Sequence, residues 1–242
     1  IAYFPFRSWD YEMTREGAFV SQVSISSCAP LVSVITRTRP GREHLLRQAV
    51  LSIAHQTYPN VEHIVVEDGG ATTRELIDDM SQTTGRSIRF LGQPKRGRAA
   101  AGNAGLAAAT GQWCLFLDDD DILFSDHVEL LAAKLMETPK AVAAYSIAWE
   151  AITDYPLEDG RYTENCHSVS SLHRQAFDYE VLKHHNFMPV QSVLFERKLF
   201  EERGGMDERL DALEDWNLWL RFAYRNHFVF VPKVTSMFRT PA

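Results

Sequence analysis

The feature that most constrains this chain is an apolar run that leads straight into four consecutive aspartates, Asp118 to Asp121. The apolar residues 115–117 show no alternation with polar ones, which predicts a buried strand in a parallel sheet covered on both faces. Ionised carboxylates inside a protein cost on the order of several kcal/mol each when unpaired. The aspartates must therefore meet water, a cation or a ligand at the end of that strand.

Two interpretations of the four aspartates remain open at this point. Ligands of open α/β sheets bind beyond the carboxyl ends of the strands, which favours a site holding Mg²⁺ or Mn²⁺ for a phosphate-bearing substrate. The alternative is a solvated acidic turn whose last acids cap a helix beginning at Ser125.

Apolar runs and helical periodicity alternate along most of the chain. They predict strands at 31–36, 61–66, 87–91, 115–117, 141–149, 189–195, 228–231 and 234–238. The predicted helices follow the turn at Pro40 to about residue 55, and then cover 72–80, 95–109, 125–137, 197–203 and 214–223. Residues 150–186 are polar and irregular, which is typical of a loop or lid. This alternation predicts an α/β protein with a doubly wound, mostly parallel sheet.

Two predicted helices carry unusual residues. Gly102 and Gly105 lie inside an alanine-rich helix, where each glycine costs about 1 kcal/mol relative to alanine, so close packing of helix on sheet is the favoured explanation. Arg98, with Lys95, is the better candidate for contacting a diphosphate. The helix at 214–223 opens with two acids that could simply complement the helix dipole. Its helically spaced apolar residues predict one buried stripe: Trp216, Trp219, Leu220 and Ala223.

Composition excludes several classes of protein. The net charge is −7 and no Lys/Arg run is present, so nucleic acid is not an expected partner. The three cysteines are too few and scattered for a disulfide framework or zinc cluster, which favours a reducing compartment. No apolar stretch approaches the roughly 20 residues of a membrane span, and no signal peptide is recognisable. We therefore expect a cytoplasmic location, with peripheral association at the inner face of the membrane as a further option.

The ends of the chain suggest a part of something larger. Residues 1–30 crowd aromatic side chains before a serine-rich linker, which predicts an N-terminal arm or the tail of a preceding domain. The chain begins at Ile1 without Met, so we expect further domains in a longer protein. We predict one domain over 31–242, with 31–125 and 126–242 as its two halves.

Several ordered segments together resemble the family 2 glycosyltransferases. Residues 32–39 read V-S-V-I-T-R-T-R, like the opening strand of that family, and 64–70 read I-V-V-E-D-G-G, similar to its V-V-D-D-G-S turn. Residues 102–111 resemble its R-N-x-G-L…A-x-G segment, and 117–121 its L-D-x-D-D metal motif. Residues 186–208 resemble its N-x-I-P…R…G-G-F-D-E run, and 214–221 read E-D-W-N-L-W-L-R, close to E-D-W-x-L-W-L-R. Each motif alone is weak, but their order and spacing are specific.

The resemblance implies a GT-A fold, whose nucleotide-sugar-binding half would be 31–125 and whose acceptor-binding half would be 126–242. It implies an inverting enzyme that moves a sugar from a nucleotide-diphosphate sugar to a hydroxyl of a glycan or lipid-linked acceptor, in cell-surface polysaccharide synthesis. Mn²⁺ or Mg²⁺ would be held by Asp120, and Asp215 would be the general base. The implied donor-binding residues are Thr36, Thr38, Glu67, Asp68, Arg98, Asp118, Asp119 and Gln191.

Two departures from the family pattern are visible. Gly102 stands where the family often has Arg, which Arg98 would replace from one helical turn earlier, and no His follows Arg239 as a further metal ligand. The alternative enzyme is a nucleotidyltransferase, but that class ordinarily has a Gly-rich loop after the first strand and here only Gly41 is present. The non-enzymatic alternative is a glycan-binding domain of a larger synthase that catalyses no reaction itself.

Overall fold

The computed structural model describes residues 29–154 and 163–241. Its strands are β1 (Val32–Thr38), β2 (Val61–Asp68), β3 (Ile88–Gln93), β4 (Trp113–Asp118), β5 (Ile122–Leu123), β6 (Ala141–Thr153), β7 (Glu164–Ser168), β8 (Val193–Glu196) and β9 (His227–Pro241). Its α-helices are α1 (Glu43–Ala54), α2 (Arg74–Thr84), α3 (Arg98–Ala108), α4 (His127–Glu137), α5 (Tyr179–Leu182), α6 (Lys198–Arg203) and α7 (Glu214–Ala223). Short 3₁₀ helices cover Ser171–His173 and Val190–Ser192. Nearly all of the predicted arm lies outside the described residues.

The described strands form one mixed sheet in the order β3-β2-β1-β4-β8-β6-β9-β5, with β7 paired to β6. The four strands β3, β2, β1 and β4 run parallel, which confirms the predicted doubly wound half. β8 is antiparallel to both β4 and β6, whereas β9 runs parallel to β6. Parallel strands end at the same edge of a sheet, so the residues after β1, β2 and β4 come together there.

Apolar side chains pack against the strands in three clusters, as the continuous buried strands predict. Alternate residues of β4 serve opposite faces, so Phe116 packs with Trp219 of α7 whereas Leu115 and Leu117 pack with Leu131 of α4. Because helices cover both faces, all seven residues of β1 are buried.

The packing of α3 on β1 explains its glycines. A Cβ added to Gly105 would lie 2.2 Å from Ile35 Cγ2, and one added to Gly102 would lie 2.9 Å from Met206 Sδ. The predicted close approach of helix to sheet is confirmed at Gly105. At Gly102 the nearest neighbour is instead Met206, in the loop between α6 and α7, whereas Phe116 of β4 lies at 3.4 Å.

Several predicted elements need correction. The two closing strands are one long β9, because it pairs with β6 along its whole length with only local shifts of register. The strand predicted from Pro189 starts as a 3₁₀ turn and is extended only over β8. The buried stripe of α7 is Leu218, Trp219, Phe222 and Ala223 together with Glu214, whereas Trp216 and Leu220 are half-buried. Among the described residues, no helix reaches the length and apolarity that crossing a bilayer requires.

The helix-cap interpretation of the four aspartates is wrong. The strand β5 separates Asp121 from α4, which begins only at His127. The aspartates instead form the turn between β4 and β5, at the ligand-binding edge of the sheet.

Candidate active site

A cavity of about 320 Å³ opens where β1, β2 and β4 end. Four carboxylates and four guanidinium groups belong to its lining, so the formal charges of these groups balance. The lining residues are Arg37, Thr38, Arg39, Arg42, Asp68, Arg98, Ala101, Asp118, Asp119 and Asp120.

Arg37 connects two distant acidic segments at the floor of this cavity. Its Nε and Nη2 donate to the two carboxylate oxygens of Asp118 at 2.6 and 2.8 Å, and its Nη1 donates to Glu214 Oε1 at 3.0 Å. Burial disfavours the charged guanidinium, but the two carboxylates outweigh it and hold the pKa of Arg37 above its ordinary value. Asp118 at the end of β4 and Glu214 at the start of α7 therefore meet on one guanidinium group.

Arg42 and Thr38 fix the next two aspartates. Thr38 Oγ1 donates to Asp119 Oδ2 at 2.7 Å, and Arg42 donates to Asp119 Oδ1 from Nε and Nη2 at 3.1 and 2.8 Å. Arg42 Nη2 also reaches Asp120 Oδ2 at 2.5 Å. Burial raises the pKa of Asp119 to about 6, although the Arg42 partnership works in the opposite direction. Asp119 is therefore buried and held in place by Thr38 and Arg42, whereas the Asp120 side chain is 28% exposed.

The last aspartate and the end of β9 close the turn from the other side. Asp121 is buried and accepts from the Arg239 backbone N at 3.3 Å. Its burial, with the charges of Asp120 and Asp118, holds its pKa well above the ordinary range. The Arg239 guanidinium donates to the Asp120 carbonyl, to Glu164 Oε1 at 3.0 Å and to Gln48 Oε1 at 2.9 Å. Arg239 therefore connects the aspartate turn to β7 and α1.

Asp68 shapes the opposite wall of the cavity. Its Oδ1 accepts from Gln93 Nε2 at 2.9 Å and from the Arg96 backbone N at 2.7 Å, and its Oδ2 accepts from the Gly97 backbone N at 2.9 Å. Burial works against the charged form, but these hydrogen bonds lower the pKa of Asp68 below its ordinary value. Asp68 therefore stays ionised and holds the loop that leads to Arg98.

The two acids that open α7 have different environments. Glu214 is fully buried, with Oε1 bonded to Arg37 and, at 2.5 Å, to Arg98 Nε. Asp215 is half-buried, and its Oδ2 accepts from Asn186 Nδ2 at 2.9 Å. Burial raises the pKa of Asp215, while the Trp216 backbone N–H and the Asn186 amide partly counteract the shift. A raised pKa suits a carboxylate that must accept a proton.

Three predicted donor-binding residues do not line the cavity. Thr36 lies two residues inside β1, fully buried, with its hydroxyl 2.9 Å from His63 Nε2. Glu67 accepts from the backbone N–H and hydroxyl groups of both Thr72 and Thr73, and so shapes the turn before α2. Gln191 is buried, and its Nε2 has no hydrogen-bond partner among the described residues. Thr38, Asp68, Arg98, Asp118, Asp119 and Asp120 do line it.

Three arginines at the end of β1 and just after it were missed as site residues. Arg37, Arg39 and Arg42 all line the cavity, yet none of them is among the site residues predicted from the sequence. The signal was available, because three guanidinium groups within six residues of a buried strand's end need acidic partners.

The site fits a divalent cation only with help from a substrate. No group of three or more His, Cys, Asp or Glu side chains within 29–154 and 163–241 is arranged to hold a metal. Mg²⁺ usually takes one or two carboxylates and completes its shell with substrate phosphates and water. Asp120 and Asp118, at 28% and 25% exposure, are the partly exposed carboxylates of the aspartate turn and have the oxygen chemistry for that role.

Comparisons with known proteins point in one direction. The family model described as "Glycosyl transferase family 2" matches residues 32–204. Glycosyltransferase GlyA of Streptococcus pneumoniae is 29% identical over 201 residues, which cover 76% of this chain and 29% of GlyA. This chain therefore spans less than a third of that relative's length.

Solved structures resemble the fold at low sequence identity. The crystal structure of S. aureus TarS matches with a TM-score of 0.64 and 17% identity, covering 87% of this chain and 37% of that one. A mannosyltransferase from Pyrobaculum calidifontis, in complex with GDP-Man and Mn²⁺, matches with a TM-score of 0.62 and 20% identity, covering 87% and 57% of the two chains. These likenesses confirm the predicted GT-A fold.

Proposed function

This chain belongs to glycosyl transferase family 2, and from that premise we propose that it transfers a sugar, with inversion, from a nucleoside-diphosphate sugar to a hydroxyl of a glycan or lipid-linked acceptor. The observation that carries the proposal is the meeting of Asp118 and Glu214 on the Arg37 guanidinium. Arg37 lines the cavity and links Asp118 of the aspartate turn to Glu214 at the start of α7, almost a hundred residues further along the chain. Cell-surface polysaccharide synthesis at the cytoplasmic face of a membrane is the setting that we propose.

The charges of the cavity support a diphosphate donor. A nucleoside diphosphate carries negative charge that guanidinium groups recognise through paired hydrogen bonds. The side chain of Arg98 is 54% exposed and lies at the start of α3, so it can turn toward such a ligand. Structures of the neighbour TarS hold UDP and UDP-GlcNAc, which supports the same class of donor here. In this proposal Asp68 lies beside the nucleotide base of the donor, and Asp118 and Asp119 lie beside its ribose and diphosphate.

The leaving diphosphate requires positive charge beside it, whereas the acceptor hydroxyl requires a group that takes its proton. Negative charge develops on the departing diphosphate, and Mn²⁺ or Mg²⁺ held by Asp120 would supply positive charge there. The acceptor hydroxyl is a poor nucleophile and loses its proton as it attacks the anomeric carbon. Because attack comes from the face opposite the leaving group, no covalent enzyme nucleophile is needed and the anomeric centre inverts.

Asp215 is the general base that we propose. Glu214 is less suitable because it is fully buried and its Oε1 is already paired with both Arg37 and Arg98. Asp215 is half-buried, keeps a single side-chain partner in Asn186 and has a raised pKa. The dipole of α7 would by itself lower that pKa, but burial outweighs it.

Thermal shift and transfer assays test the proposed function. Nucleoside diphosphates and their sugars, with and without Mn²⁺, are screened for an increase in Tm, which reports binding to the native state. The donors that bind are then incubated with glycan and lipid-linked acceptors, and release of nucleoside diphosphate is measured against donor-only hydrolysis. We expect binding and acceptor-dependent release. A chain that binds donors without any turnover would be a glycan-synthase binding domain, and one that binds no nucleotide would contradict the proposal.

A further inference from the structure

Arg37 is nearly buried although it carries a charge. It is 5% exposed, and it contacts three separate segments: the end of β4, the start of α7 and the loop at Met206, whose Sδ lies 3.4 Å from Nη1. A buried guanidinium is stable only when its donors are paired with acceptors. Here Asp118, at the end of β4, and Glu214, at the start of α7, supply those acceptors.

The start of α7 has no conventional cap. Leu213, the residue before the helix, has a left-handed backbone with φ of 61°, and its side chain makes no capping hydrogen bond. Glu214 links the first turn to Arg37 and Arg98 on the cavity side. Asp215 and Trp216 link the same turn to Asn186 and to the Leu182 carbonyl. The Arg98 side chain is 54% exposed, whereas that of Arg37 is 4% exposed, so Arg37 is the fixed partner. Asp215 is the next residue along this turn.

We propose that Arg37 is a positioning residue: it fixes the start of α7, and with it Asp215, at a set distance from the donor-side carboxylate Asp118. This inference rests on the proposed transfer reaction and goes beyond it, because it assigns the alignment of base and donor to one side chain. The planar guanidinium can bind Asp118 with two donors and Glu214 with a third. A lysine ammonium retains the charge but cannot reproduce that fork.

The inference predicts a specific kinetic signature for Arg37→Lys. Misplacing a reacting group by about 1 Å can cost roughly 100-fold in rate, so we expect kcat to fall by about 10- to 100-fold. The donor KM should change by less than about threefold, because the lysine retains the charge that faces the donor. The matched control is Arg197→Lys, since Arg197 pairs with Glu201 of α6 and with the Gly111 carbonyl before β4, and lines no part of the cavity. Its kinetics should equal those of the wild type.

A second variant guards against loss of folding. Removing one member of a buried ion pair leaves an uncompensated charge, whereas replacing both members is often tolerated. Arg37→Met/Glu214→Gln removes both members of the buried Arg37–Glu214 pair and leaves Asp118, whose side chain is 25% exposed, to be solvated by water. We expect this variant to fold, to bind nucleoside diphosphate and to retain the kcat defect. Circular dichroism and calorimetry check the first two expectations.

The possible outcomes are distinct. Unchanged kcat in folded Arg37→Lys and in the double variant, with an active wild type, would overturn the positioning role alone. An increase in donor KM at constant kcat would also overturn it, since Arg37 would then be a donor-binding group. A wild-type protein that transfers no sugar from any donor would overturn the proposed function together with the positioning role.

Discussion

Glu214 and Asp215 are adjacent at the start of α7, yet Glu214 is closed between two guanidinium groups whereas Asp215 retains partial exposure and one amide partner. We therefore propose a structural role for Glu214 and a chemical role for Asp215. Glu214 links the start of α7 to Arg37 and Arg98, and Asp215 keeps the partial exposure and raised pKa that suit the proton acceptor that we propose.

Asp215→Asn should abolish transfer and leave donor binding intact. An amide cannot accept the proton of the acceptor, and loss of a general base typically costs about 10²- to 10⁴-fold in rate. Release of nucleoside diphosphate gives the rate, and calorimetry gives donor affinity. Asp211→Asn, at an exposed loop position, is the control and should retain activity. Retained turnover with lost donor affinity would show that the assignment is wrong.

Asn186→Ala should move the acid limb of the rate profile to higher pH. The Asn186 amide donates to Asp215 and so favours its ionised form, and its removal raises the pKa of Asp215 further above the ordinary value. A base works only when deprotonated, so activity will be lost at a less acidic pH than in the wild type. Profiles of kcat against pH for the two proteins make the comparison. A shift to lower pH, or none, would remove Asp215 as the titrating base.

Asp120→Ala should remove the gain in donor affinity that Mn²⁺ provides. Disturbing groups that support a metal commonly costs about 10- to 100-fold in affinity, so we expect a loss of that size. Calorimetry of nucleoside diphosphate with and without Mn²⁺ measures it. Asp126→Ala is the matched control, because Asp126 lies beyond β5 and pairs with Lys233. An equal effect of Mn²⁺ on wild type and Asp120→Ala would refute the metal role of Asp120.

Gly105→Ala should destabilise the protein by about 1–3 kcal/mol, the usual range for overpacking. The new Cβ would overlap Ile35 Cγ2, which belongs to a stiff β-branched side chain on β1. Gly102→Ala is the internal comparison, because its Cβ would meet the flexible end of Met206 and the gain in helix propensity offsets the contact. In urea unfolding, Gly105→Ala should have a clearly lower midpoint concentration of urea than Gly102→Ala. Equal midpoints would contradict the packing explanation.

The sequence by itself determined the order of the elements and the position of the acids. The unalternating run before Asp118 predicts a buried strand, and the carboxylates that follow it lie at the ligand-binding edge of the sheet as expected. Helical spacing likewise predicts α1 and α4 within a few residues. These features are readable because periodicity and burial of apolar residues are local properties of the chain.

Only the tertiary structure decided which polar side chains face the cavity and which face the protein. Glu67 shapes a turn and Thr36 lies inside the sheet, although each belongs to a motif that predicts ligand contact. The pairing of Arg37 with Asp118 and Glu214 joins residues 81 and 177 positions apart. No local pattern encodes such a contact, because its partners are selected by the desolvation of buried charge once the strands and helices have packed.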